Sequence, residues 1–376
     1  MSKDLDTYRR LVIKIGSALL VEPETYALRQ TWLTDLCSEI SNRHKKGLET
    51  LVVSSGAIAL GRARLGLIGK RLSLPEKQAC AAAGQSHLTQ AYDQALAQFG
   101  LHAAQALLTL TDTEDRRHWL NARSTLETLL SLNTVPVINE NDTVATDEIR
   151  YGDNDRLAAR TAQMVGADGL LLLSDIDGLY TSDPRTNKTA RHLPQIDSLT
   201  PDIFAMGTGA NTNRAVGTGG MATKLAAAQI ATQAGCDMII MDGGAPSPFS
   251  RLENGERSTL FSATTNPKNA RAQWIIGSLK PKGRLQVDDG AIKALKNGKS
   301  LLAAGVTQLK GSFSKGDAVA ICDREGGEIA RGLSNYDSRN ALQIIGQKSD
   351  KIEDILGYTN GPALIHRDNL VMLSNV

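Results

Sequence analysis

The chain has 376 residues, 41% of them hydrophobic, which suffices for two domains with cores of their own. A formal net charge of +2 excludes wholesale binding to nucleic acid or to an anionic membrane. The polar start Met1–Arg10 lacks a signal-peptide core, no apolar run has bilayer length, and Cys37, Cys80, Cys236, Cys322 and the six histidines are scattered. The expectation is a cytoplasmic protein with reduced thiols, no membrane association and no metal cage.

Strands and helices alternate over the first 265 residues. Leu11–Ile15 reads as a buried strand broken at Gly16, and Leu33, Leu36, Cys37 and Ile40 repeat with helical spacing until Gly47. Leu51–Val53 is a second strand, ending in Ser54-Ser55-Gly56. A long helix fits between Pro75 and Gly100, an apolar segment covers Ala103–Leu110, and a further helix fits Glu114–Leu132. Val135–Asn139, Leu170–Leu173 and Met238–Met241 are three more strands, the last two each preceded by a helix. Such alternation predicts an α/β fold, an open and mainly parallel sheet in a three-layer αβα arrangement. Ligands on such sheets sit beyond the carboxyl ends of the strands.

Those ends are polar: Lys14 and Gly16, Ser55 and Gly56, Asn139 and Asp142, Ser174 and Asp175. Strand ends are polar in most proteins because loops begin there, but a lysine inside Val-Ile-Lys-Ile-Gly needs an anion nearby. Gly217-Thr218-Gly219-Gly220-Met221-Ala222-Thr223-Lys224 runs into an Ala-rich helix. Glycine N–H groups, a helix start and a lysine suit a polyphosphate; a flexible surface loop before an ordinary helix is the competing reading. The loop is not a Walker A motif, because no lysine follows the last glycine. Asn139-Glu140-Asn141-Asp142 and Gly152-Asp153-Asn154-Asp155 crowd carboxylates and amides into the same region. These suit a substrate ammonium, Mg²⁺ or the orientation of lysines, with N-capping as a further role for Asp153. No nucleophile stands beside a base, so direct phosphoryl transfer fits better than covalent catalysis.

In this order, Val12–Ser17, Ser54–Ala59, Val135–Asp142, Gly152–Asp155, Asp177–Tyr180 and Thr218–Lys224 resemble the amino acid kinases, in the branch that acts on glutamate. Ser174 stands where threonine is expected, and either hydroxyl can hydrogen-bond. The resemblance implies transfer of the γ-phosphoryl group of ATP, with Mg²⁺, to the side-chain carboxylate of L-glutamate, the first step toward proline. Carried over by motif, Lys14 and Lys224 would flank the moving phosphoryl group and Asp155 would hold them. Ser55, Gly56, Asn139, Asp142, Asp153 and Asn154 would bind glutamate. Lys14, Ser174, Asp175, Thr218, Gly219, Gly220, Met221, Ala222, Thr223 and Lys224 would contact ATP. The resemblance further implies a homo-oligomer, dimer or tetramer, functionally coupled to glutamyl phosphate reductase. Another amino acid kinase, acting on aspartate, acetylglutamate, carbamate or a nucleoside monophosphate, is the alternative enzyme.

Beyond residue 265 the texture changes. Residues 266–282 read as a connector containing Lys280-Pro281-Lys282-Gly283. Short strands at Leu285–Val287, Val319–Cys322 and Glu328–Arg331, with one helix at Ala291–Asn297, suggest a small β-barrel. Residues 283–358 resemble a PUA domain, with 359–376 as a tail. PUA modules elsewhere bind RNA, so an RNA-binding protein is the rival reading. Scattered Lys and Arg and few aromatics (Phe313, Tyr336, Tyr358) speak for a structural or regulatory role instead.

Overall fold

The alternation expected from the sequence is realised as β1 (Arg10–Ile15), α1 (Ser17–Leu20), α2 (Gln30–Lys45), β2 (Glu49–Ser54), α3 (Ala57–Arg64), α4 (Leu74–Ala97) and β3 (His102–Leu108). Then come α5 (Leu110–Glu114), α6 (Arg116–Ser131), β4 (Thr134–Glu140), α7 (Asn154–Val165), β5 (Gly169–Ser174), β6 (Leu179–Tyr180), β7 (His192–Leu193) and β8 (Gln195–Ile196). The first unit closes with α8 (Pro201–Thr208), α9 (Met221–Gln233), β9 (Asp237–Asp242), α10 (Pro248–Glu253) and β10 (Ser258–Phe261). The computed structural model describes residues 4–144, 154–208, 220–278 and 280–373, and divides into Met1–Pro267 and Lys268–Val376.

The principal sheet has the order β3-β4-β2-β1-β5-β9-β10-β8. Every pair from β3 to β9 is parallel; β10 runs antiparallel to β9. Side chains alternate between faces with period two. Leu11, Ile13 and Ile15 of β1 join the core made with α2 and α4, whereas Val12 joins the core made with α7 and α9. Lys14 shares the parity of Val12, so it stands on the α7/α9 side.

The helix expected over 114–132 is realised as α6, which Asp115 caps from non-helical geometry (ψ 123°), accepting from the His118 N–H at 2.9 Å. One boundary differs from expectation: the apolar segment Ala103–Leu110 forms β3 as far as Leu108, and Leu110 begins α5, because Thr109 and Asp112 form a reciprocal cap there.

Helices α3 and α4 approach so closely that glycine is required. A Cβ added at Gly84 would lie 1.8 Å from the Ala57 carbonyl oxygen and 2.6 Å from the Gly61 nitrogen. Gly84→Ala should destabilise the fold by roughly 1–3 kcal/mol through overpacking. Gly47→Ala has open space around it but φ +74°, and should lose only about 1–2 kcal/mol through backbone strain. Urea denaturation measures both, and an unchanged Gly84→Ala midpoint would contradict the contact.

The second unit contains α11 (Pro267–Ser278), β11 (Gly283–Val287), α12 (Asp289–Lys296), β12 (Leu301–Leu302), β13 (Val306–Gly311), β14 (Ala318–Cys322) and β15 (Glu328–Leu333). It ends with α13 (Ser338–Ile344), α14 (Ile352–Leu356), β16 (Ala363–Ile365) and β17 (Leu370–Met372). A five-stranded sheet, β13-β11-β14-β15-β17, and the pair β12-β16 share one core of Leu285, Val287, Val319, Ile321, Ile329 and Leu364. The segment read as a polar connector is largely helical, as α11. The stretch read as a tail supplies β16 and β17, because Leu364 and Ile365 are fully buried. Phe313 and Tyr336 are core residues, and of the three aromatics named above only Tyr358 is exposed.

Candidate active site

Lys14 stands one residue before the end of β1 and α7 begins at Asn154-Asp155, so the two meet on one face of the sheet. The Lys14 Nζ lies 2.7 Å from Asp155 Oδ1. In the first turns of α9, Lys224 places its Nζ 2.9 Å from Asp155 Oδ2. The Thr223 hydroxyl donates to that same oxygen at 3.3 Å. All three charged groups are buried: Lys14 is 8%, Lys224 3% and Asp155 1% exposed. Burial alone would raise the Asp155 carboxyl; the two ammonium groups outweigh it and hold it well below the usual carboxylate range. Two cations and one anion leave a net positive charge, which suits an incoming phosphate. Buried ion pairs are weak devices for stability, so a three-member cluster at the carboxyl end of the central strand reads as a site for chemistry.

A second cluster adjoins the first through the neighbouring residue of α7. Asn154 Nδ2 donates to the Ser54 carbonyl at 3.3 Å, the Ser55 hydroxyl oxygen at 2.7 Å and Asn139 Oδ1 at 3.0 Å. A carbonyl oxygen can only accept, so the atom facing Ser54 is Nδ2 and the opposite one is Oδ1. Among the described residues that Oδ1 is buried with no hydrogen-bond partner. Ser55 accepts from Asn154 and keeps its own O–H to donate. Gly56 follows at φ +110°, a left-handed geometry, and a Cβ there would meet Val21 at 3.3 Å. Asp142, just past β4, has its carboxyl pushed up to about 6 by burial.

A cleft of about 870 Å³ opens beside Lys224. Asp175, at the end of β5, Asp242, at the end of β9, and Gly220 and Met221, at the start of α9, line it. The Ser174 hydroxyl donates to Asp175 Oδ1 at 3.1 Å. Gly220 is the N-cap of α9, and its carbonyl accepts from the Thr223 hydroxyl at 2.8 Å. The positive end of this helix therefore faces the cleft. Asp177 and Tyr180, from the family-like segment Asp177–Tyr180, line the same space, together with Tyr26, Asp183 and Arg185, which were not singled out from the sequence.

Lys14, Asp155, Thr223 and Lys224 thus converge, as do Ser55, Asn139 and Asn154, while Asp175, Gly220 and Met221 border the cleft and Ser174 stands buried behind Asp175. Ala222 occupies the exposed first turn of α9. Asp153, Thr218 and Gly219 lie outside the described residues. One participant was missed in the sequence: Gln85 of α4, whose Oε1 accepts from Asn139 Nδ2 at 2.8 Å. Its only signal there is an amide within a buried stripe of small or apolar residues, Ala81, Gly84, Leu88 and Ala91.

The amino acid kinase family pattern matches residues 9–242, and the PUA domain pattern residues 283–356. A glutamate 5-kinase of Caulobacter vibrioides (strain NA1000 / CB15N) is 56% identical over 364 residues, covering 97% of this chain and 96% of that protein. A glutamate 5-kinase of Brucella ovis is 55% identical over 372 residues, covering 99% and 98% respectively.

Proposed function

The chain belongs to the amino acid kinase family, and on that footing we propose that it transfers the γ-phosphoryl group of ATP to the side-chain carboxylate of L-glutamate, giving L-glutamyl 5-phosphate for proline synthesis. The observation that carries this reading is Asp155, buried between Lys14 at 2.7 Å and Lys224 at 2.9 Å, with Lys224 lining a cleft. A glutamate carboxylate oxygen attacks the γ-phosphorus as the bond to the β-phosphate oxygen breaks, and ADP leaves. This chemistry needs no protein nucleophile; it needs positioning and neutralisation of charge on the equatorial oxygens. Lys14 and Lys224 supply the charge, and Asp155 fixes where it stands. The α9 start, with Thr218–Lys224, and the β5 end, with Ser174 and Asp175, take the nucleotide. Ser55 donates to a glutamate carboxylate, with Gly56 giving the backbone turn beside it. Asn154 Oδ1 and Asp142 take the ammonium, Asn139 orients Asn154, and Asp153 assists.

Mg²⁺ enters with ATP. Among the described residues no three His, Cys, Asp or Glu converge as a metal cage, and both Asp155 oxygens are engaged by lysines. That suits an ion held by phosphate oxygens and water, where it would neutralise charge. The second unit stands outside the chemistry, since every proposed substrate group precedes residue 225. We read the kinase domain as residues 1–265, joined through 266–282 to the PUA-like domain. A water-labile acyl phosphate favours a cytoplasmic homo-oligomer that hands its product to glutamyl phosphate reductase. No helix among the described residues is long and apolar enough to cross a membrane.

An ATP-dependent assay with hydroxylamine tests the reading, because an acyl phosphate is trapped as a hydroxamate. Hydroxamate from L-glutamate is expected; none from glutamate but some from aspartate would overturn the substrate. Binding of the ammonium needs Asp142 as carboxylate, and its carboxyl protonates at about pH 6. Lowering pH from 7 to 5 should therefore raise the KM for glutamate roughly tenfold while leaving that for ATP nearly unchanged. Parallel rises in both constants would remove Asp142 from the glutamate site.

A further inference from the structure

We propose that Gln85 is a positioning residue that fixes the amide polarity of Asn139 and, together with the Ser54 carbonyl, holds Asn154 with its Oδ1 free for a substrate carrying an α-ammonium; this rests on the glutamate reading above. An asparagine side chain has nearly the same shape either way round, so its neighbours decide which end is oxygen. Here the donors run in one direction. Asn154 Nδ2 donates to Asn139 Oδ1 at 3.0 Å, and Asn139 Nδ2 to Gln85 Oε1 at 2.8 Å. Gln85 Nε2 continues to the Thr89 hydroxyl at 3.4 Å, which donates to Gln105 Oε1 at 2.6 Å. Gln85, Asn139 and Asn154 are 8%, 2% and 7% exposed, so water does not compete for the bonds among these three, whereas the Thr89–Gln105 bond is exposed.

The relay has a chemical consequence at its head. With Asn139 pinned by Gln85, its Oδ1 faces Asn154 and accepts from the Nδ2 that the Ser54 carbonyl also holds inward. Asn154 Oδ1, buried and without a partner among the described residues, remains as an acceptor for a donor from the substrate. The ammonium of glutamate is such a donor. Glutarate, which lacks it, would leave that oxygen buried and unsatisfied. Without an acceptor at position 85, Asn139 could turn and set its NH₂ against that of Asn154, which would then be held only by Ser54 and Ser55 and less firmly placed for the substrate.

Steady-state kinetics on the full chain with glutamate, glutarate and ATP varied in turn tests this. Gln85→Met keeps length but removes the acceptor. It should raise the KM for glutamate about tenfold, leave that for ATP within about twofold, and reduce the kcat/KM preference for glutamate over glutarate about tenfold. Gln85→Glu keeps an oxygen facing Asn139 and should bring the glutamate KM back to within about threefold of wild type. A purely structural Gln85 would move both substrates together and leave the glutarate ratio unchanged, overturning the proposal. So would equal values for Gln85→Met and Gln85→Glu. If Gln85→Met does not fold, Thr89→Val carries the test: a glutamate KM raised about twofold or more supports the relay, and an unchanged one overturns it. Wild-type protein that makes no glutamyl hydroxamate would overturn the glutamate reading itself. Active wild type with an unaltered Gln85→Met overturns only the role of Gln85.

Discussion

Lys224→Ala should lower turnover roughly 10²–10³-fold, the scale on which a preorganised electrostatic group contributes to a transition state. Lys224 is 3% exposed and its Nζ is 2.9 Å from a carboxylate that cannot move away, since Lys14 holds the other oxygen. Its charge is thus in place before ATP arrives, and no reorganisation is needed when charge spreads over the transferring phosphoryl group. Lys14→Ala should behave alike, because the two lysines share one anchor. Their double variant should fall by less than the product of the single losses, as residues acting as a unit do. Rapid-quench turnover of the three variants measures this. Nearly full turnover in Lys224→Ala would remove the lysine from the chemistry.

Asp155→Asn should do two separable things. Both ammonium groups would lose their buried counter-charge, which destabilises the fold by roughly 3–5 kcal/mol, the usual consequence of breaking a buried pair from one side. Turnover should fall by roughly 10²-fold or more because the lysines would no longer be held in register. Affinity for ATP should not fall, since the cleft becomes more positive. The pH dependence carries a matching sign. Asp155 has a depressed carboxyl in the folded chain, so its stabilisation is present above the unfolded value of about 3.9 and is lost as pH falls through the lower folded value. Wild type should therefore lose stability in acid more steeply than Asp155→Asn. Denaturant melts against pH, with nucleotide titrations, check both, and a variant of wild-type stability would deny Asp155 its role as a shared anchor.

Much of this site was legible in the sequence because its groups sit at punctuation marks. Lys14 interrupts an apolar strand, Asn154-Asp155 opens a helix, and Thr223-Lys224 follows a glycine cluster. Each can be read locally from burial cost and helix starts. The sequence could not say that Asp155 takes both lysines, one on each oxygen, since that contact spans 141 residues to Lys14 and 69 to Lys224 in the chain. Gln85 was invisible for a related reason: a lone amide in an Ala-rich helix has the same appearance whether it faces solvent or Asn139. The short helix α5 was hidden because the reciprocal cap of Thr109 and Asp112 that opens it follows a segment that reads only as apolar. In the second unit, short strands were readable, but the parallel pairing of β11 with β14 and the contribution of β16 and β17 depend on a shared core that no local pattern announces.

Oxygen tracing addresses the transfer itself. L-Glutamate carrying ¹⁸O in its side-chain carboxylate, incubated with ATP, Mg²⁺ and hydroxylamine, should release inorganic phosphate containing one ¹⁸O. The carboxylate oxygen that attacks the γ-phosphorus becomes the bridge of the acyl phosphate and leaves with phosphate when hydroxylamine attacks the carbonyl carbon. Mass spectrometry of the phosphate reads the label. One ¹⁸O per phosphate, in step with hydroxamate formed, is the expected result. Phosphate without label, released at the same rate with or without glutamate, would mean that water is the acceptor and that the Lys14–Asp155–Lys224 cluster does not serve phosphoryl transfer to glutamate.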